Sequence, residues 1–174
     1  EVVKKVVGGI QKILVAHQID VIKGEASFAD PKTISVIKSD QSREEIQGKS
    51  MVIATGARSE VDPIIRVDGE KIVGTEEVLN LKTLPQSLVI IGGGRRGLEF
   101  ATFFNSFGSR VTLIEKEPQI LPRMDHEISV RMRAILVRQG IKVLTNTVVS
   151  NVDVSGDSPV LILLGKKGSE KIQA

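Results

Sequence analysis

The chain has 174 residues, 41% of them hydrophobic and 26% charged, with 24 basic against 21 acidic side chains and a formal net charge of +3. That is the make-up of one ordinary globular domain or parts of two. A balance this even, without a long basic block, Tyr or Trp, argues against a nucleic-acid partner. No apolar run approaches membrane-spanning length. Glu1 leads into an amphipathic pattern, not a basic-then-apolar signal sequence. The lack of cysteine removes disulfides, thiolate metal sites and a thiol nucleophile from these residues. His17 and His126 stand apart in sequence, so each is expected to be solvated or capping, with no metal site.

Residues 1–17 read as a helix with Val3, Val7, Ile10 and Leu14 on one face. Gly8 and Gly9 weaken it intrinsically, which points to tertiary packing close to another backbone. Ile19–Ile22 and Thr33–Ile37 have the apolar character of short strands, with a turn at Asp30-Pro31 between them. Ser39–Gly48 is polar and reads as a loop or hairpin tip. Ser50–Ile53 reads as a further strand running into Ala54-Thr55-Gly56, on its own a strand end with a permissive glycine. Residues 57–74 carry Pro63, Gly69 and Gly74 and look irregular, the best linker in the chain. Thr75–Asn80 predicts a short helix with Thr75 as N-cap and acids in its first turn.

The most informative stretch follows. Leu88–Ile91 is an unbroken apolar run, as in a strand buried on both faces. Gly92, Gly94 and Gly97 come next at G-x-G-x-x-G spacing, then a helical stretch to Phe107, a stop at Gly108, and a second apolar strand, Val111–Ile114, ending on Glu115. Strand, glycine turn, helix, strand and acid together form the dinucleotide-binding βαβ fingerprint in its full context. Gly92 would permit the tight turn, Gly94 the close approach of a pyrophosphate, and Gly97 close helix–sheet packing. The helix N-terminus would supply N–H groups to the phosphates. Glu115, 23 residues after Gly92, would accept hydrogen bonds from an adenosine ribose and disfavour the 2′-phosphate of NADP(H). The competing reading is a merely structural glycine turn.

Beyond it, Asp125 is expected to cap a helix over His126–Gln139 with Ile128, Met132, Ile135 and Leu136 as its apolar stripe, stopped by Gly140. Ile141–Leu144 then predicts a third parallel strand. Val148–Val154, Val160–Leu164 and Lys171–Gln173 look antiparallel. The predicted fold class is α/β: a Rossmann-like βαβ domain with a parallel sheet and an antiparallel appendage.

The segments IIGGGRRGLEFATFF, VIATGARSE, TEEVLNLKTLPQSLVIIGGG and PRMDHEISVRMRAIL together resemble the dihydrolipoamide dehydrogenases of the pyridine nucleotide–disulfide oxidoreductase family, over nearly the whole chain and in order. The resemblance implies a partial chain. The family's own FAD fingerprint, redox cysteine pair and dimerisation domain with its His-Glu pair do not occur in these residues. It implies that 1–60 is the later part of the first FAD-domain segment, 61–83 a linker, and 84–174 most of an NAD domain, so that a Rossmann-like unit is joined to part of an FAD-binding domain. It further implies that Gly92, Gly93, Gly94, Arg95, Arg96, Gly97 and Glu115 contact NAD, that the Val148 backbone touches adenine, and that Glu99 lies near nicotinamide and flavin. Ala26, Thr55 and Gly56 would face FAD. Without the resemblance, Glu99 reads as a solvated helix carboxylate.

Arg95-Arg96 departs from the family, which has an aromatic or aliphatic residue and then an aliphatic one. Arg96 is expected on the packed side, where an unpaired charge is costly. Either the pair adds positive charge beside a phosphate or alters a nicotinamide gate, or both side chains snorkel to water.

The activity implied for the intact protein is oxidation of dihydrolipoamide through FAD to NAD⁺. The implied partners are a second copy in a homodimer and the lipoyl domain of a 2-oxo acid dehydrogenase complex, in cytoplasm or mitochondrial matrix, with no membrane. The alternatives are another NADH-dependent flavoprotein reductase, of NADH oxidase or mercuric reductase type, and a non-catalytic nucleotide-binding module.

Overall fold

The computed structural model describes residues 2–57, 62–165 and 168–174. The chain divides into two compact units, Glu1–Ala57 and Arg58–Ala174. The domain boundary expected at residues 60–61 lies outside the described residues.

In the first unit, helix α1 (Val2–Ala16) stops where Gln18 turns into the left-handed region at φ 54°. A three-stranded antiparallel meander follows: β1 (Glu25–Asp30), β2 (Thr33–Ile37) and β3 (Arg43–Gln47). The β1–β2 turn falls at Asp30-Pro31 as expected, with the Asp30 carboxylate accepting the Lys32 N–H at 2.7 Å. That bond, with one from the Thr33 side chain as the larger cause, holds the Asp30 pKa below its ordinary value. The β2–β3 tip is built the same way: Asp40 accepts the Ser42 N–H at 2.9 Å, and Lys38 pairs with Glu44 at 2.6 Å.

Several expectations for this unit need correction. Ser39–Gly48 contains a strand, because Arg43–Gln47 alternates between exposed and half-buried positions against β2. Such a one-sided strand reads as polar loop in sequence. Ile19–Ile22 and Ser50–Ile53 are not strands. Val21 is 60% and Val52 89% exposed, and neither run pairs with another strand among the described residues. The apolar stripe of α1 is largely uncovered: Val3, Val7 and Ile10 are exposed and Leu14 is half-buried, and a Cβ built on Gly8 or Gly9 would meet no described atom within 4 Å.

The second unit opens with an irregular run to α2 (Thr75–Val78). Thr75 is its first helical residue, not its N-cap. Gly74 takes the cap position, and the Glu77 carboxylate reaches back to accept the Gly74 N–H at 3.0 Å. Then come β4 (Ser87–Ile91), α3 (Arg95–Ser106), β5 (Arg110–Ile114), α4 (His126–Arg138) and β6 (Lys142–Leu144). The three strands form one parallel sheet in the order β4-β5-β6, with Ile91 level with Ile114 and Ile114 with Leu144 at the C-terminal edge. The chain finishes in an antiparallel sheet of β7 (Thr147–Asp153), β8 (Val160–Gly165) and β9 (Gly168–Gln173).

Sequence alternation on β5 decides the layering. Val111 and Leu113 join Leu98, Ala101 and Phe104 of α3 and Leu136 of α4 in one core. Ile114 joins Val149, Leu161 and Leu163 of the antiparallel sheet in another. The parallel sheet therefore lies between a helical layer and a second sheet, and strands covered on both faces are apolar-rich. Asp125 caps α4 as expected, accepting the Glu127 N–H at 2.8 Å. The inward face of α4 differs from the expected stripe. It is Ser129, Met132 and Leu136, while Ile128 and Ile135 are 47% and 46% exposed. Ser129 is tolerated inside because its hydroxyl donates to the Ile120 carbonyl at 2.7 Å.

Candidate functional site

The site forms where β4 and β5 end. Gly92 leaves β4 at φ 108°, a conformation open to glycine and costly for other residues, while its N–H donates to the Ile114 carbonyl at 2.8 Å. Gly97 packs onto that turn so closely that a Cβ there would collide with the Gly92 carbonyl oxygen. Gly94 is the N-cap of α3, and a Cβ built on it would meet no described atom within 4 Å. The backbone here is bare and approachable, and the N–H groups of Arg95, Arg96 and Gly97 begin the helix without an intrahelical partner.

Glu115 ends β5 against this turn. The residue is 6% exposed. One carboxylate oxygen accepts the Gly93 N–H at 2.7 Å and the other accepts the Glu117 N–H at 2.9 Å. Hydrogen bonds to a charged group are worth about 1.5–3 kcal/mol each, which offsets the cost of taking the charge out of water. The Glu115 backbone is held too, its N–H by the Leu144 carbonyl at 2.8 Å and its carbonyl by the Thr147 N–H at 3.0 Å. Val148, next in line at the start of β7, is 48% exposed.

Arg95 and Arg96 are both exposed. The expectation that Arg96 faces the packed side is overturned: Leu98 and Ala101 turn inward on α3 instead. Both arginines line an open cavity of about 1130 Å³ together with Gly94, Glu99, Arg123 and Met124. Three cations thus share one cavity with a single carboxylate, and none of the ion pairs among the described residues involves them. Glu99, one turn along α3 and exposed, also borders a smaller cavity of about 420 Å³ beside Phe100, Phe103 and Leu84. Phe103 is common to both.

The structure therefore brings together Gly92, Gly93, Gly94, Gly97 and Glu115, with Arg95, Arg96 and Glu99 along the adjoining helix. Ala26, Thr55 and Gly56 belong to the first unit. Ala26 lies exposed on β1 opposite Val36, and Gly56 takes φ 79° in an exposed segment. His126 meets the Gln119 side chain at 2.8 Å, and the described residues contain no cluster of metal-ligating side chains. Sequence reasoning missed Arg123. The signal available was its place in the loop after the strand-ending acid, at the carboxyl end of a parallel strand where open α/β sheets bind ligands.

A family model described as pyridine nucleotide-disulphide oxidoreductase matches residues 1–174. The chain belongs to that family. Among its relatives is a dihydrolipoyl dehydrogenase of Acholeplasma laidlawii, 42% identical over 156 residues, covering 87% of this chain and 45% of the relative. The mitochondrial dihydrolipoyl dehydrogenase 2 of Arabidopsis thaliana is 33% identical over 169 residues, covering 97% and 33%. The HOCl-induced flavoprotein disulfide reductase RclA of Escherichia coli matches in structure with a TM-score of 0.68 at 33% identity, over 88% of this chain and 34% of that one. LpdA of Mycobacterium tuberculosis, at 23% identity and a TM-score of 0.77 over 95% and 37%, shows the shared fold alone. The chain spans less than half the length of each of these relatives. Members of the family are oxidoreductases that carry FAD and use NAD(H). No described helix is long and apolar enough to cross a membrane.

Proposed function

We propose that the second unit binds NAD(H) and that the chain is the nucleotide-binding portion of a flavoprotein disulfide reductase of the dihydrolipoamide dehydrogenase type. The observation that carries this is the meeting of glycine turn and strand-end carboxylate at 2.7 Å, beside a Gly94 that no described atom shields. A diphosphate fits over the bare Gly94–Arg96 backbone, where helix N–H groups and the Arg95 and Arg96 side chains offer positive charge. Glu115 has acceptor positions beyond the two in use, and these suit the vicinal hydroxyls of an adenosine ribose. Val148 would border the adenine. Glu99 would stand at the nicotinamide end of the same cavity.

In this reading the first unit contributes part of an FAD wall through Ala26, Thr55 and Gly56, and residues 61–83 join the two nucleotide-binding regions. The bound cofactors would supply hydride and electron transfer, and these residues would grip and orient the nucleotide. The intact protein would pass electrons from a dihydrolipoyl group to NAD⁺, as a homodimer meeting a lipoyl-bearing partner.

The test is a fluorescence titration of the chain with NADH. Saturable binding is expected. Glu115→Ala should weaken it by about tenfold or more, the loss of hydrogen bonds to a charged acceptor. Equal affinity in the variant would remove the ribose contact, and no binding by the unaltered chain would remove the NAD(H) site.

A further inference from the structure

The peptide between Gly92 and Gly94 is restrained on every side. The Gly93 N–H donates to Glu115 at 2.7 Å, and the Gly93 carbonyl accepts the Leu121 N–H at 2.7 Å. A Cβ on Gly93 would stand 3.0 Å from the Glu115 Cβ and 3.0 Å from Ile120. Gly93 is not one of the three fingerprint glycines. Its lack of a side chain is accounted for by Glu115, which occupies the space a side chain would take. Glu115 is also 6% exposed and bonds the Glu117 N–H with its second oxygen at 2.9 Å. Its carboxylate thus joins the turn after β4 to the loop after β5. A residue serving only as a sugar ligand has no need of this burial or of these two backbone donors.

We infer that Glu115 is the positioning residue of the glycine turn, so that one carboxylate serves the sugar subsite and orders the diphosphate subsite. The inference rests on the NAD(H) reading of the site and extends it. With the Gly93 N–H committed to Glu115, the diphosphate is left to the groups that follow, from Gly94 onward. Losing the carboxylate frees the Gly93 peptide and lets the bare backbone of Gly94 move with it. Sugar and phosphate recognition are therefore coupled through a single side chain.

Inorganic pyrophosphate separates this from a simple ribose contact, since it has no sugar to touch Glu115. In the 174-residue chain, pyrophosphate should displace NADH, and Glu115→Gln should raise its inhibition constant by about tenfold. Glutamine has one acceptor oxygen for two N–H donors, so one donor must face the amide NH₂. An unchanged pyrophosphate constant alongside weakened NADH binding would make Glu115 a sugar ligand only and overturn the proposal. A second measurement needs no ligand: hydrogen exchange of the Gly93 amide in the unaltered chain and in Glu115→Ala, which removes both acceptor oxygens. Strong protection lost in the variant, with the amides of β5 still protected, supports the positioning role, and equal Gly93 exchange in both proteins overturns it. If the unaltered chain binds no NADH, the dinucleotide reading fails and the positioning role is decided by Gly93 exchange.

Discussion

The meander of the first unit buries Thr33, Ser35 and Val36, and Val36 is the only hydrophobic side chain among its described residues to do so fully. The parallel sheet of the second unit lies between two apolar clusters that include Leu98, Phe104, Leu113 and Leu136 on one face and Ile114, Val149 and Leu163 on the other. The first unit is held by a hydrogen-bonded ladder and by Asp-based turns, the second by packed side chains. The consequence shows in the residues expected to meet cofactors. Ala26, Thr55 and Gly56 are carried on exposed backbone. Gly92, Gly93 and Glu115 are fixed by contacts of 2.7–2.9 Å at the edge of a core. A nucleotide site needs rigid support of this kind.

Deleting core volume in each unit breaks the comparison most directly. Leu113 is fully buried on β5, the middle strand of the parallel sheet. Leu113→Ala should destabilise the second unit by about 3 kcal/mol, from lost transfer energy and a residual cavity. Val36→Ala should cost about 1 kcal/mol in the first unit. Urea unfolding followed by amide exchange in both units reads each loss. Similar losses in the two variants would show that the meander has a core as demanding as that of the parallel sheet.

The same contrast explains what the sequence revealed. β4, α3, β5 and α4 were legible because strands covered on both faces are apolar-rich, and because glycine or Asp marks the helix ends. Glu115 was legible as the acid closing a βαβ unit. In the first unit the apolar runs Ile19–Ile22 and Ser50–Ile53 misled, since hydrophobicity does not make a strand without an edge to pair with. β3 was hidden by its charged residues, which suit an exposed strand. On α4, periodicity placed Ile128 inside because a polar Ser129 was not expected to be satisfied by the Ile120 carbonyl. Arg123 lies eight residues beyond Glu115, in the segment PRMDHEISVRMRAIL, whose spacing marks no cofactor contact; the folded loop brings it to the cavity of Arg95 and Arg96.

That cavity sharpens the comparison at the level of charge. Lys38 is paired with Glu44 in the first unit, whereas Arg95, Arg96 and Arg123 line a cavity whose one acidic lining residue is Glu99. In the NAD(H) reading these cations strengthen the hold on the diphosphate, and salt screens exposed charges of this kind. NADH affinity should fall as salt rises. The double variant Arg95→Gln, Arg96→Gln should bind about tenfold more weakly at low salt, a loss of about 1.4 kcal/mol, with a flatter salt dependence. Identical salt dependence in both proteins would mean that the arginines only extend into water.

The smallest effect concerns a turn of the Asp type inside the core-supported unit. One carboxylate oxygen of Asp68 accepts the N–H groups of Glu70, Lys71 and Ile72 at 2.8, 2.9 and 2.9 Å. These bonds, that from Ile72 foremost and that from Glu70 next, hold its pKa below the ordinary aspartate value. Because the folded pKa is depressed, the charged form stabilises the turn above the ordinary aspartate value. That contribution is lost as pH falls through the lower, folded value. The turn is also tied across the unit, since the Lys71 ammonium donates to the Val154 carbonyl at 2.9 Å. Acidification should therefore loosen residues 68–72 and their link to the end of β7 while the buried strands remain folded. An NMR titration should give Asp68 a midpoint below that of an unstructured aspartate, with the amide shifts of Glu70 and Ile72 moving in the same pH range. A midpoint at the ordinary value would show that the three N–H groups do not favour the charged carboxylate. The turn would then owe its shape to its backbone bonds, the Asp68 and Gly69 N–H groups donating to the Ile72 carbonyl.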